Sequence, residues 1–401
     1  MESMETIERL TSAGPRWPGL EGDKPATRLI ADELEQMGRE AELEQIRVRP
    51  AYHLTLAFLT AIAIAGTVLS ATSSPPLGVA LVLLASAAMY GDLTSRFLLT
   101  RWLTSTRTTE NVTSPGAKPD AKNRVILMAH HDAGYGGLMY ARPGRDGRRR
   151  PSPLARLAGP LDILFWTTIA ALVAAVVRLV TGTDASVMTV VQFALVVVLA
   201  AYVALLIDSA LAGVVPGASS NASGVAALLE VAQRLERLPP LHVDLWVVFP
   251  GAKEGFGLGM RQWLKAHAED IDPRYTYFVN IDTVGNGELH HVTGEGFGLM
   301  FRHDRRLVRL CESIGSKPYV WRLGTDAVIP LMRGFPSLTI CCTDRYDRTP
   351  DFHQHSDTVE RVEEDTVKET IDLVEALVRA IDTELVPSLL PTLVEAPPKP
   401  A

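Results

Sequence analysis

Residues 217–259 read GASSNASGVAALLEVAQRLERLPPLHVDLWVVFPGAKEGFGLG. This stretch decides the fold. Ser219, Ser220 and Asn221 are good N-cap types. Behind them Leu228, Leu229, Val231 and Leu235 recur at helical spacing, which predicts a helix over 225–238. Pro239 and Pro240 end it. Residues 243–249 are β-branched, aromatic and mostly apolar, as in a strand buried on both faces. The strand gives way to Gly251, and Lys253-Glu254 falls where its carboxyl end opens into a crevice. Open α/β sheets hold their ligands there.

Upstream, Ile7 and Leu10 belong to a first helix, followed by the turn GPRWPGLEGD (14–23). A second helix over 26–37 carries Leu29, Ile30, Leu34 and Met37 on one face, with Gly38 as its C-cap. Residues 41–48 alternate like a strand. Then the character changes. Residues 51–71 are apolar with only His53 near the start, and after SATSSPP (70–76) the run 77–93 is apolar up to Asp92. Two further apolar runs cover 161–180 and 187–207. Each approaches the ~20 residues that cross a bilayer. Asp162, Arg178 and Asp208 lie near the ends, within reach of headgroups. Four membrane helices in two hairpins are predicted. Arg47, Arg49, Arg96, Arg101, Arg107, Arg142, Arg145, Arg148, Arg149, Arg150 and Arg156 flank them on the domain side. The tips SATSSPP and TGTDAS (181–186) hold no Lys or Arg, which places the tips outside and the domain in the cytoplasm. The run RPGRDGRRR (142–150) reads as a topogenic, solvated loop or an anionic-lipid contact.

The formal net charge of -7 excludes a global basic field for nucleic acid. Cys311, Cys341 and Cys342 form no disulfide framework and suit buried thiols in a reducing compartment. The N-terminus has no apolar core of a cleavable signal.

Three further segments carry chemistry-bearing residues. A strand over 124–128 ends in Ala129-His130-His131-Asp132. Another over 277–281 ends in Asn280-Ile281-Asp282-Thr283. Phe352-His353-Gln354-His355-Ser356-Asp357-Thr358 precedes a closing helix over 363–381. With 217–226 and 251–259, these resemble, in order, the motifs of the co-catalytic zinc aminopeptidase family, whose relatives include glutamate carboxypeptidase, glutaminyl cyclase and the transferrin receptor. The opening turn and Leu323-Gly324-Thr325-Asp326 resemble that family as well. The resemblance implies an α/β fold: a three-layer, zinc-aminopeptidase-like domain with a mixed central sheet, interrupted by two transmembrane helical hairpins. The domain is expected in three pieces, 1–50, 110–158 and 212–385, with hairpins at 51–95 and 159–211 and a Pro-rich tail at 386–401.

By the same resemblance, His130 and Asp282 fall on the ligands of one zinc, Glu254 and His353 on those of the other, and Asp132 orients His130 from behind. His355 falls on the family's proline and is not expected to bind metal. Two positions depart. Ser220 stands where the family has its metal-bridging aspartate, and Lys253 where it has the glutamate general base. A neutral hydroxyl is a poor zinc ligand, each site keeps two protein ligands instead of the usual catalytic three, and a protonated lysine is no general base. Reduced or absent zinc binding is therefore expected. The reading is a membrane-integrated, zinc-aminopeptidase-like protein with impaired catalysis, a pseudoenzyme serving as a binding or regulatory module. The alternatives are an active metallopeptidase or amidohydrolase with a remodelled zinc site, and a transporter or channel. Expected partners are the lipid bilayer and a peptide or protein ligand, with no nucleic acid. The expected location is a bacterial-type inner or plasma membrane.

Overall fold

The structure is a computed structural model that describes residues 3–141, 158–182 and 186–385. The arginine run at 142–150, Arg156, the middle of the second tip and the Pro-rich tail lie outside the described residues.

Helices α1 (Ser3–Ser12) and α2 (Asp23–Gln36) lead into strand β1 (Glu42–Val48). Two apolar helices follow, α3 (Tyr52–Ala71) and α4 (Pro75–Leu93), and then β2 (Arg107–Ser114) and β3 (Asn123–Met128). A second apolar pair is α5 (Pro160–Thr181) and α6 (Ser186–Leu211). The remainder runs α7 (Ser223–Arg237), β4 (Val243–Phe249), α8 (Leu258–Ala266), β5 (Thr276–Ile281), β6 (Glu288–Glu295), β7 (Phe301–Arg302), α9 (Arg305–Ser313), β8 (Lys317–Trp321), α10 (Val328–Leu331), β9 (Ser337–Thr343) and α11 (Glu364–Ala380).

The strands form one mixed sheet in the order β1-β2-β4-β3-β5-β9-β6-β7, with β8 beside β6. Its centre, β4-β3-β5-β9, is parallel. β1 and β2 make an antiparallel edge, with Val48 opposite Arg107. Side chains alternate across a strand, and β4 shows what that does. Val243, Leu245, Val247 and Phe249 pack into a core with α1, α2, α7, α9 and α11. Trp246 and Val248 face the opposite way, onto Met260, Trp263 and Ile329 of α8 and α10. The result is three layers with the sheet in the middle.

The apolar pairs build a core of their own, around Leu56, Leu59, Val82, Met89, Leu164, Leu199 and Leu206. These four helices, of 20, 19, 22 and 26 residues, are each long and apolar enough to cross a membrane. Their outer faces expose large apolar side chains, among them Phe58, Leu84, Trp166, Val190 and Phe193, in a continuity that water-soluble surfaces rarely show. Polar contacts fasten this bundle to loops of the sheet domain. Arg101 pairs with Asp92 at 2.6 Å, both buried, and its guanidinium also donates to the carbonyls of Arg49 and Gly255. Asp162 accepts from Gly298 N, and Ser209 Oγ donates to the Gly136 carbonyl. Ser95 Oγ donates to the Phe256 carbonyl.

A candidate site at the carboxyl ends of the strands

His130 follows β3, Lys253 and Glu254 follow β4, Asp282 follows β5 directly, and His353 lies in the segment between β9 and α11. The parallel register of β3, β4 and β5 brings those strand ends side by side. Five side chains that the sequence scatters over more than half of the chain thus meet in one buried row.

The row has a cation at its centre. Lys253 Nζ lies 3.1 Å from Glu254 Oε1 and 3.2 Å from Asp282 Oδ2. Outward on one side, Glu254 Oε2 is 3.0 Å from His353 Nε2. On the other, Asp282 Oδ2 is 3.6 Å from His130 Nε2. Lys253, Asp282 and both histidines are buried. Burial alone pushes the Lys253 ammonium down, but Asp282 and Glu254 outweigh it and the pKa ends above the ordinary lysine value. Burial likewise opposes ionisation of the two carboxylates, and the Lys253 charge overcomes it. Glu254 is held well below its usual range, and Asp282 falls to about 2. For His130, burial and Lys253 lower the pKa while Asp282 and Asp132 raise it, to about 10. Two cationic groups, Lys253 and His130, and two carboxylates, Glu254 and Asp282, are thereby locked in mutual compensation.

Local structure holds this geometry. Asp132 accepts from the backbone N–H groups of Lys253 and Glu254, both at 3.0 Å, and approaches His130 Nδ1 at 3.3 Å. It therefore fixes the Lys253–Gly255 turn as well as the histidine. That turn is entered at Ala252 and left at Phe256 in the left-handed region, with φ of 57° and 71°. Thr283 and His353 share that conformation at 57° and 55°. Non-glycine residues pay of order 1–3 kcal/mol there, and such strain concentrates at functional sites. Gly134 permits the approach of His353 and Glu254, because a Cβ there would come within 2.4 Å of the His353 ring.

Ser220 is engaged elsewhere. Its hydroxyl donates to Asp357 Oδ2 at 2.6 Å, and the N–H groups of Ser219 and Ser220 donate to the same carboxylate. The capping expected from Ser219, Ser220 and Asn221 thus differs: none of them caps α7 with its side chain. Asp357 instead takes the free N–H groups of the turn. Burial raises the Asp357 pKa to about 6, against those hydrogen bonds. Asn221 is held by Arg16, whose guanidinium also binds the carbonyls of His131, Pro216 and Gly217. His355 turns away from the row to the Ala212 carbonyl.

Several contributors were assigned no role by the sequence. Arg16 sits in the opening turn, and Asp357 in the segment quoted for His353, but nothing there assigns their contacts. Asp326 is buried beside the row with both carboxylate oxygens lacking a hydrogen-bond partner, and burial raises its pKa to about 8. Tyr52, at the start of α3, meets Tyr140 through their hydroxyls at 2.9 Å. Both line a narrow cavity over Lys253 and Glu254, with Leu161 of α5 and Phe256. At ≈ 30 Å³ it has room for a water or two. The starts of two apolar helices thus close the mouth of the row. Among the described residues no three His, Cys, Asp or Glu side chains converge as a metal site. Cys311, Cys341 and Cys342 are buried and free.

Residues 202–378 match the family model for Peptidase family M28. No curated protein sequence matches the chain. Among solved structures, the Bacteroides thetaiotaomicron glutaminyl cyclase bound to N-acetylhistamine superposes with a TM-score of 0.54 at 12% identity, covering 94% of this chain and 96% of its own. A Zn-dependent exopeptidase from Parabacteroides distasonis gives 0.50 at 14% identity, covering 96% and 97%. An aminopeptidase from Aneurinibacillus sp. strain AM-1 gives 0.53 at 14%, covering 94% and 93%. At such identities the likeness establishes the fold.

Proposed function

From a chain that carries the zinc-aminopeptidase fold, we propose a membrane-integrated, aminopeptidase-like protein whose peptidase site is catalytically impaired. It serves as a binding or regulatory module for a peptide or protein ligand at the cytoplasmic face of a bacterial-type membrane. The observation that carries this is the Lys253 ammonium, 3.1 Å from Glu254 and 3.2 Å from Asp282.

In the family the resemblance names, Glu254 and Asp282 belong to different zinc sites that share a bridging carboxylate. Here a fixed monovalent cation stands between them. A dication brought to that place meets the ammonium at short range. At an effective dielectric near 20, a unit charge and a dication ~4 Å apart repel by about 8 kcal/mol. The bridging position is also committed: Ser220 is neutral, and its hydroxyl is spent on Asp357. The residues present do not fit a co-catalytic zinc pair. Nor does Lys253 fit a general base, since its two carboxylate neighbours hold it protonated. What the row does instead is bind itself together. It joins the ends of β4 and β5 to the segment before α11, under a lid made by α3 and α5.

The four apolar helices support membrane integration, and the arginine asymmetry of the sequence supports a cytoplasmic domain. Buried free thiols agree with a reducing compartment.

The test is zinc per chain of the full-length protein after dialysis. Wild type is expected to hold substantially less than one zinc. The double change Ser220→Asp with Lys253→Glu restores a carboxylate at both positions and turns the local charge three units negative. It is expected to take up zinc towards two per chain, and to lose it again on adding His353→Ala. Stoichiometric zinc in the wild type would overturn the impaired-site reading in favour of a remodelled hydrolase.

A further inference from the structure

A second concavity lies away from the row. It is a groove of ≈ 1050 Å³ that the base of the first hairpin shares with α8. Arg47 and Arg49, just before α3, line one side, and Leu98 and Trp102, just after α4, continue it. The opposite wall is Arg261 and Lys265 of α8, with Arg333 beyond α10. No Asp or Glu lines it.

Three properties set this groove apart from an ordinary solvated surface. First, its charge is one-sided. Among the described residues Arg47, Arg49, Arg261, Lys265 and Arg333 form no ion pair. Arg49 spends one N–H on Thr106 Oγ1, and Arg261 reaches the Arg96 carbonyl only at 3.5 Å. Partial burial lowers the pKa of Arg261, and burial together with the Arg261 charge lowers that of Arg333. Both are cations set against each other with no anion between them. Second, its floor is apolar, made by Leu258, Leu264, Ile271 and Phe335. Third, its rim is interfacial in character. Trp102 is 69% exposed, and Leu99 and Leu103 beside it are exposed too. Indole and leucine side chains beside arginines suit the headgroup level of a bilayer. Unpaired basic side chains above an apolar floor match a phosphate diester that carries acyl chains. They match free nucleotide or acidic peptide less well, since neither accounts for the exposed Trp and Leu.

We propose that this groove binds the headgroup of an anionic phospholipid at the base of the first hairpin. The proposal rests on the membrane reading above, because it takes the ends of α3 and α4 to lie at the bilayer surface. The bound headgroup would neutralise Arg261 and Arg333 and dock α8 against the membrane. α8 continues directly from the Lys253–Gly257 segment, so occupancy of the groove bears on the same turn that positions the row.

The test uses full-length protein in zwitterionic detergent, titrated with dioleoyl-phosphatidylglycerol, with dioleoyl-phosphatidylcholine, or with inorganic phosphate, and read by thermal melting. Phosphatidylglycerol is expected to raise the melting temperature saturably, and the other two are not. Each basic residue at an anionic lipid surface is worth about fivefold in affinity. Arg261→Gln with Arg333→Gln should therefore weaken phosphatidylglycerol binding about 25-fold. Arg305→Gln with Arg309→Gln, which removes the same charge from α9, should leave it unchanged. Arg47→Gln with Lys265→Gln gives an independent second reading, and lipid-free melting of each variant checks its folding. Equal stabilisation by phosphatidylcholine, wild-type binding by both groove variants, or a full shift from inorganic phosphate alone would overturn the proposal. Failure of the membrane reading would appear separately, as release of the chain from native membranes by alkaline carbonate.

Discussion

Replacing Lys253 by methionine removes the central cation and keeps most of the side-chain volume. Glu254 and Asp282 would then sit buried, each with one histidine and no ammonium. At an effective dielectric near 20, each contact of ~3 Å is worth about 5 kcal/mol of Coulomb attraction, and the desolvation of the ammonium offsets several kcal/mol of the total. Removing one partner from a buried ionic group costs about 3–5 kcal/mol. One kcal/mol moves the melting temperature of a larger domain by about 2–4 °C. Lys253→Met should therefore melt roughly 10 °C below wild type in detergent, followed by tryptophan fluorescence. Adding Glu254→Gln takes away one orphaned carboxylate and should recover a substantial part of the loss. The two changes are then non-additive, as neighbours in one network are. The pH dependence gives a second handle. Without the cation, buried carboxylates are pushed above their unfolded pKa values. Their penalty is absent at low pH and grows as pH rises through the carboxylate range, so the deficit should be larger at pH 8 than at pH 5. A Lys253→Met protein that melts within 1 °C of wild type at both pH values would refute the bridged-cation account.

Two further outcomes are expected. Reporters placed near Ser73 and Asp184 should be extracytoplasmic and a C-terminal reporter cytoplasmic; a C-terminal reporter found outside would reverse the proposed orientation. His267 lies 3.0 Å from Glu44 and 3.1 Å from Asp270; burial lowers its pKa, but the two carboxylates outweigh that and raise it. Its stabilising contribution is therefore complete below the unfolded value near 6.5 and is lost as pH rises through the higher folded value. The melting difference between wild type and His267→Gln should shrink from pH 5.5 to pH 9, and a constant difference would show that stacking on Trp263 is the only contribution.

Much of the fold was legible because its signals are local. The strand expected at 243–249 is β4 residue for residue, and the helix expected over 225–238 is α7 to within two residues at each end. Two prolines and a β-branched run leave little freedom there. The candidate row was legible only as positions along the chain: His130, Glu254, Asp282 and His353 do converge, but their sequence gives no distance. The Lys253 ammonium could be read as a charge misplaced for zinc. That it reaches both carboxylates at once depends on the left-handed turn from Ala252 to Phe256, which no pattern of residue types predicts. Asp357 and Arg16 escaped for a related reason. Several of their targets are backbone groups of the 216–221 turn, and backbone groups leave no mark in a sequence. Tyr52 read simply as part of an apolar run, since hydropathy reports length and composition and not which end covers a cavity.

The antiparallel edge of the sheet has a consequence for synthesis. Val48 of β1 pairs with Arg107 of β2, yet about 60 residues, including the whole of α3 and α4, separate them. A ribosome emitting ~5–20 residues per second needs several seconds to cross that gap. During that interval β1 is a tethered strand with no partner, and on the proposed membrane topology the hairpin behind it meets the lipid. The second hairpin imposes another wait, between the strand that carries His130 and the segment that carries Lys253. On the proposed membrane topology, translation and bilayer insertion act as a clock on the domain: its row of charges cannot assemble until both hairpins have been handed over. A lesion that delays either insertion should appear as an aggregated or degraded sheet domain, even when every residue of that domain is intact.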